Sequence, residues 1–119
     1  MRLTEAEWAV MEVLWSGDRF SLGEITKAVQ TAKGWSKNTV HTYLTRMEAK
    51  GLVSIDKTST KPYRASIIRD EAAQQERRQL LNRVYGGAAV DLIAAFLKES
   101  SISSQEAARL RKLLDDMEV

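Results

Sequence analysis

Short hydrogen-bonding side chains are concentrated on one side of residues 35–51. Asn38, Thr42 and Thr45 recur every three or four residues, which is the spacing of one face of an α-helix. Asn and Thr can donate and accept hydrogen bonds at base edges or phosphates, and the nearby guanidinium of Arg46 could bind guanine through two parallel hydrogen bonds. The face therefore suits entry into a DNA major groove. On this stretch alone, a face that meets only water remains the alternative.

Residues 35–51 have the other features of a single amphipathic helix. The apolar residues Val40, Leu44 and Met47, together with Tyr43, give it a core-facing side. Ser36 can cap its N-terminus, because a short side-chain oxygen accepts a hydrogen bond from an otherwise unpaired N–H. Gly51 can end it in the left-handed conformation. We expect about four turns.

Basic charge is concentrated around this helix. The whole chain has a formal net charge of +2, but residues 36–64 contain six Lys or Arg residues against two Asp or Glu residues, a net charge of +4. Such a concentration is typical of a phosphate-binding surface. A mildly basic face without a partner is the alternative.

Composition limits the other functions. The chain of 119 residues has no cysteine and one histidine, His41, which excludes disulfides, thiolate metal ligands and a multi-histidine metal site. We find no Gly-rich phosphate loop and no paired nucleophile and base, so we expect neither an enzyme nor a cofactor. Long apolar runs and a signal peptide are not evident, and we expect a cytoplasmic protein without membrane insertion.

Two further helices are predicted before the central one. Thr4 with Glu7, and Ser21 with Glu24, have the spacing of capping boxes. The first helix should run to about Trp15 and the second to about residue 32, with Phe20 placed to contact the second. Two helices joined by a short Gly-containing turn indicate a helix-turn-helix, whose second helix is the reader.

A hairpin with a basic tip should follow the reading helix. Leu52, Val53 and Ile55 form one strand-like run, and Tyr63, Ala65, Ile67 and Ile68 form another. The link 56–62 contains Lys57 and Lys61, which could lie along the phosphate backbone as a wing. Solubilisation of an exposed loop is the alternative for these lysines.

The remaining residues predict three helices with exposed apolar seams. Asp70 can cap a helix to about Tyr85, residues 86–87 interrupt it, and Ser103 with Glu106 forms a third capping box. A tail of this size cannot bury the seams alone, so we infer a two-fold homodimer. A monomer whose tail folds back is the alternative. The expected dimerisation residues are Leu80, Leu81, Val84, Ile93, Phe96, Leu97, Leu110, Leu113, Leu114 and Met117.

The chain resembles a known family over nearly its whole length. The segments AEWAVMEVLW, WSKNTVHTYLTRMEAKGLV and RVYGGAAVDLIAAFLKESSISSQEAARLRKLL are similar to the BlaI/MecI transcriptional repressors, the penicillinase repressor family, which also includes the copper-responsive CopY branch. The resemblance implies a homodimer that represses genes by occupying operator dyads. It also implies that Thr39, Thr42, Thr45 and Arg46 lie on the DNA face.

The residues and the resemblance together predict the fold and the site. The fold class is mainly α with a small β-wing: a winged helix-turn-helix DNA-binding domain over residues 1–69, followed by a C-terminal helical dimerisation domain over residues 70–119. The expected DNA contacts are Lys37, Asn38, Thr39, His41, Thr42, Thr45, Arg46, Lys50, Lys57 and Lys61.

The resemblance also bears on release from DNA. In the antibiotic branch, a membrane sensor-protease pathway leads to cleavage at an Asn-Phe bond, which would fall at Ala95-Phe96 here. Phe96 matches that pattern and Ala95 departs from it. The alternative is that Phe96 is simply part of the dimer core. The cysteine-rich tail of the copper branch has no counterpart in this chain.

Two other functions compete with that of an operator-binding repressor. A winged helix can serve as a protein-interaction adaptor without specific DNA binding, although such a module has no need of cations around its third helix. A ligand-binding repressor would need a polar cluster around a cavity, and the tail has no obvious one.

Overall fold

The fold is a winged helix followed by further helices, as predicted. The computed structural model describes residues 3–117. Within that range the helices are α1 (Glu5–Leu14), α2 (Leu22–Lys33), α3 (Lys37–Ala49), α4 (Arg69–Tyr85), α5 (Ala89–Glu99) and α6 (Ser104–Asp116), and the strands are β1 (Val53–Ile55) and β2 (Tyr63–Ala65).

All three predicted capping boxes are confirmed. At the start of α1, Thr4 Oγ1 accepts a hydrogen bond from the N–H of Glu7 at 3.2 Å, and the Glu7 carboxylate accepts one from the N–H of Thr4 at 2.8 Å. The same reciprocal arrangement starts α2 and α6. Ser36 caps α3 by accepting a hydrogen bond from the N–H of Thr39.

The end of α3 also agrees with the sequence. Gly51 has a φ of +80°, in the left-handed region that glycine adopts most easily. The N–H of Gly51 donates to the carbonyl of Glu48 at 3.0 Å, and the N–H of Leu52 donates to that of Met47 at 2.9 Å. These two bonds form a Schellman motif, which satisfies carbonyls that the helix leaves unpaired.

The wing is an antiparallel pair in which Ile55 lies opposite Tyr63 and Val53 opposite Ala65. Phe20 adds an isolated bridge, because its backbone exchanges hydrogen bonds of 2.9 and 3.0 Å with Tyr63. The segment before α2 therefore extends the hairpin by one residue pair. This helps to hold a two-stranded element that would be marginally stable alone.

The prediction that the second strand includes Ile67 and Ile68 is wrong. The Ile67 carbonyl accepts a hydrogen bond from the indole N–H of Trp15 at 2.9 Å, and the Ile68 carbonyl accepts one from the N–H of Ala72. Both carbonyls thus accept hydrogen bonds from Trp15 and Ala72 and not from a neighbouring strand, and β2 ends at Ala65.

The prediction that Asp70 caps α4 is also wrong. The helix begins one residue earlier, at Arg69, so Asp70 lies within the first turn. The bond from Ala72 to the Ile68 carbonyl sets this start. The Arg69 guanidinium also lies 2.9 Å from Glu12 on α1. Asp70 still lies where a negative charge is favourable, near the positive end of the helix dipole.

The hydrophobic core belongs to the first of two compact units, Met1–Arg77 and Arg78–Val119. Its fully buried large side chains are Val10, Met11, Leu14, Ile25, Val40, Leu44 and Met47, from α1, α2 and α3. Ala72 is buried in the same cluster, so the division falls inside α4. A functional boundary between residues 69 and 70 stays a prediction.

Among the described residues, no single helix is long and apolar enough to cross a membrane, and α4 and α5 meet those criteria only as a bent pair.

Candidate nucleic-acid interface

The packing of α3 decides which of its side chains face outward. Val40, Leu44 and Met47 are fully buried, so the opposite face of the helix is exposed. The exposed residues on that helix include the predicted contacts Lys37, Asn38, His41, Thr42, Thr45 and Arg46. Thr39 is half-buried.

Both threonine hydroxyls in the middle of this face are oriented by the helix itself. Thr42 Oγ1 donates to the Asn38 carbonyl at 3.0 Å, and Thr45 Oγ1 donates to the His41 carbonyl at 3.0 Å. Such bonds fix the side-chain rotamer and use the hydroxyl proton. The oxygens keep lone pairs that can accept a hydrogen bond from an outside donor, such as a base amino group.

Three of the predicted cationic contacts have no acidic side chain beside them. Within residues 3–117, Lys37, Arg46 and Lys57 have no carboxylate within 4.0 Å, and all three are exposed. A cation without an internal partner keeps its full charge available for a phosphate or a guanine. These three side chains are the ones best placed to meet a polyanion.

The tip of the wing has an ordered backbone. Asp56 accepts hydrogen bonds from the N–H and the hydroxyl of Thr58, which lower the pKa of its carboxyl group. The Ser59 hydroxyl accepts a bond from the N–H of Lys61, and the Lys61 carbonyl accepts one from Ser59 in return. The lysines at 57 and 61 thus project from a defined turn.

Lys61 has an additional partner on α2. Its ammonium lies 3.4 Å from the Glu24 carboxylate, with both side chains about half exposed to solvent. The capping hydrogen bond from Ser21, followed by the contact with Lys61, lowers the pKa of Glu24. An exposed pair of this kind contributes little stability, so a phosphate could replace Glu24 at small cost.

The wing and the exposed face of α3 meet along one open groove of about 420 Å³. His41, Thr45 and Glu48 line it from the helix, and Lys57 and Pro62 line it from the hairpin. Tyr63 lies at its base, and burial followed by the nearby Glu48 charge raises the pKa of its phenol. The helix face and the wing therefore form one continuous surface.

Lys50 differs from the other predicted contacts. Its ammonium lies 2.7 Å from a carboxylate oxygen of Glu7, which is buried in the first unit. Burial alone would raise the pKa of Glu7, but the hydrogen bonds from Lys50 and Thr4 outweigh it and lower that pKa. This ammonium is committed to an internal partner.

This ion pair was missed in the sequence, although both charges stand at core-facing positions. Lys50 follows the buried Met47 by three residues, and Glu7 precedes the buried Val10 by three. Two opposite charges on apolar stripes are a signal of internal pairing, because buried charges are almost always paired.

The predicted dimerisation residues belong to the second unit, and most of them are exposed to solvent. Leu80, Leu81 and Leu110 are half-buried. In α5 and α6 no side chain is fully buried. The other predicted residues are exposed to 41–74% of their surface, and they are Val84, Ile93, Phe96, Leu97, Leu113, Leu114 and Met117.

Comparison with known proteins agrees with the fold. The family model described as penicillinase repressor matches residues 3–116. The chain is 29% identical to a penicillinase repressor of Staphylococcus aureus over 98% of its own length and 94% of the relative's. It is also similar to the methicillin resistance regulatory protein MecI of Staphylococcus aureus strain N315, at 27% identity over 95% of this chain and 93% of that one.

A relative from a Bacillus species matches the chain over a similar length. A penicillinase repressor of Bacillus licheniformis is 26% identical over 97% of this chain and 91% of its own. The relatives named here are repressors and a regulatory protein, and this confirms the prediction that the chain is not an enzyme. With a family match that spans nearly all of its residues, the chain belongs to the penicillinase repressor family of transcriptional repressors.

Proposed function

We propose that this protein is a homodimeric repressor that binds a two-fold-symmetric operator through α3 and the wing. The observation that carries the proposal is the continuous surface along the groove between them. Hydrogen-bonding side chains lie on the helix face. Three cations without a carboxylate partner among the described residues stand on α3 and the wing, namely Lys37, Arg46 and Lys57. Sequence-specific binding needs both kinds of group, because phosphate contacts position the protein and base contacts give specificity.

The helix contributes the base-reading groups of the proposed complex. Asn38, Thr42, Thr45 and Arg46 contact bases or the phosphates beside them, with His41 at the edge of the same face. An asparagine amide suits adenine, and an arginine guanidinium suits guanine. Thr39, half-buried in the first turn, contacts the backbone at most.

Phosphate contacts come from cations around that face. Lys37 lies at the start of α3, and Lys57 and Lys61 lie on the wing. Each neutralised phosphate releases counterions, so the affinity should fall steeply as salt rises. Operator DNA in a bacterial cell lies in the cytoplasm, which is where we place the protein.

The proposed dimer covers the apolar faces of the second unit. Leu97, Leu110 and Leu113 line a shallow groove with Ile102, and side chains such as Phe96 remain exposed beside it. Apolar exposure on this scale is unusual in a monomer. A second copy would supply the missing contacts and place two α3 helices in major grooves about one helical turn, or a multiple of it, apart.

Release by proteolysis is a further part of the proposal. The bond between Ala95 and Phe96 lies inside α5, where Ala95 is half-buried and Phe96 is 57% exposed. Cleavage by a protease of a membrane sensor pathway would divide the helix that carries the dimer seam. If Phe96 only packs in the dimer, another signal must release the repressor.

Binding to the protein's own upstream DNA tests the proposal. Fluorescence anisotropy over a salt series would compare that duplex with a scrambled one of equal length. We expect tighter binding to the upstream duplex and a linear fall of log affinity with log salt. Equal and weak binding to both duplexes would instead favour an adaptor that binds a protein partner.

A further inference from the structure

Lys50 and Glu7 connect the end of α3 to the start of α1. The ammonium lies 2.7 and 2.8 Å from the two carboxylate oxygens. The Glu7 side chain is only 7% exposed, and it also accepts the capping hydrogen bond from the N–H of Thr4. Removal of one partner from a buried pair is costly, because it leaves the other charge without compensation. The carboxylate therefore holds Lys50 firmly.

The backbone at Lys50 is fixed as well. Lys50 is the last residue before Gly51, and its N–H donates to the Arg46 carbonyl at 3.1 Å. The Schellman bonds at residues 51 and 52 follow directly. Both the backbone and the ammonium of Lys50 are therefore held, and they connect the start of α1 to the last turn of α3, which contains Arg46.

A second ion pair repeats this arrangement. Lys33, the last residue of α2, lies 3.4 Å from Glu5 in the first turn of α1. Glu5 and Glu7 thus lie at the positive end of the α1 dipole. Their partners, Lys33 and Lys50, lie at the negative ends of the α2 and α3 dipoles. The two lysines are similarly exposed, at 28% for Lys33 and 31% for Lys50, but the carboxylates differ. Glu5 is 92% exposed, so its pair is weak, whereas Glu7 is 7% exposed and largely shielded from solvent.

We propose that Lys50 is a positioning residue, which through Glu7 fixes the end of α3 against α1, and that it does not contact DNA. This inference rests on the proposed binding of the operator by α3. It replaces the expectation from the sequence that Lys50 contacts DNA. A loosened helix end would displace Arg46 and weaken specific contacts, while the count of phosphate contacts would stay the same.

The test measures operator and scrambled-DNA binding of the full chain over a salt series for Lys50→Met, Glu7→Gln and Lys57→Met. The last variant is the matched control, because it makes the same substitution at an exposed wing lysine. Circular dichroism identifies a temperature at which each variant is folded. If Lys50→Met does not fold, the double variant Glu7→Gln/Lys50→Met takes its place, since it leaves no buried charge unpaired.

The expected results differ in kind. Lys57→Met should reduce the slope of log affinity against log salt by about one for each protomer and weaken both duplexes alike. Lys50→Met should keep the slope of the wild type and lose about tenfold in operator affinity, the order of one base contact. Glu7→Gln should also weaken operator binding, although it removes a negative charge from a protein that binds a polyanion.

Two results would overturn the inference. One is a slope that falls for Lys50→Met as it does for Lys57→Met, and the other is a Glu7→Gln variant that binds the operator at least as tightly as the wild type. The proposed function is tested separately, by the binding of the wild type alone. If the wild type bound the operator and the scrambled duplex equally, the proposed function would be wrong, whatever the variants did.

Discussion

The Asp56 carboxylate accepts hydrogen bonds from both the backbone N–H and the hydroxyl of Thr58, at 3.0 and 2.6 Å. An acidic residue therefore lies in the tip of a wing that we propose meets phosphates. The N–H of Ser59 also donates to the Asp56 carbonyl. Asp56 thus orders the turn from which Lys57 projects, which should favour binding of the wing to DNA. The negative charge of Asp56 should oppose that binding.

Replacement of this side chain separates the two effects. Asp56→Ala removes the acceptor that orders the tip, so we expect it to bind the operator more weakly than the wild type. Asp56→Asn keeps an acceptor oxygen and removes the charge, so it should bind at least as tightly as the wild type. Anisotropy on the upstream duplex measures both. Tighter binding by Asp56→Ala would mean that only the charge matters.

Substitutions of Arg46 can show whether its guanidinium contacts a base or a phosphate. Arg46→Ala should cost about 1–3 kcal/mol in operator affinity if the guanidinium reads a guanine. Arg46→Lys is the matched variant, because it keeps the charge and loses the planar, two-point contact. We expect Lys to recover little of the lost affinity. Recovery by Lys would assign Arg46 to a phosphate, and no loss in either variant would remove it from the interface.

The helices could be predicted from the sequence because their signals are local. Capping boxes and apolar periodicity involve residues three or four apart, and the boxes at Thr4, Ser21 and Ser103 all formed. The exposed face of α3 followed from the same periodicity. The order of the predicted elements indicated that a wing follows this helix. The groove between the helix face and the wing is seen only in the structure.

The features that were missed depend on contacts distant in the chain. The partner of Lys50 is 43 residues away, and the partner of the Trp15 indole is 52 residues away. The Trp15 bond draws the Ile67 carbonyl away from a strand ladder, and the bond to Ile68 starts α4 before Asp70. Local propensity at residues 67–70 therefore gave the wrong bounds.

The proposed dimer can be tested on α6. Leu114 is 57% exposed in the single chain, so Leu114→Asp should leave the first unit folded and shift the dimer toward monomer. Ala108→Asp is the control, because Ala108 is exposed and lies opposite the centre of the apolar face that Leu110, Leu113, Leu114 and Met117 form on α6. Sedimentation velocity would measure the mass and anisotropy the operator affinity. A Leu114→Asp protein that remains a dimer would place the seam elsewhere.

Acid should weaken the connection between α1 and α3. The hydrogen bonds from Lys50 and Thr4 outweigh burial and hold the pKa of Glu7 below its ordinary value of 4.5. A carboxyl group with a lowered pKa in the folded state stabilises the protein above its unfolded pKa, and that contribution is lost as the pH falls through its folded pKa. The stabilisation should therefore be complete at neutral pH and disappear in the acid range below about 4.5.

Glu7→Gln provides the comparison, because the other titrating groups cancel between variant and wild type. At pH 7 we expect the variant to be less stable by about 1.5–3 kcal/mol, the range for hydrogen bonds to a charged group. The difference in free energy of unfolding, from urea titrations at several pH values, should shrink as the pH falls below about 4.5. A difference that stays constant into strong acid would mean that Glu7 stabilises the fold through packing, and that its charge does not hold Lys50 in place.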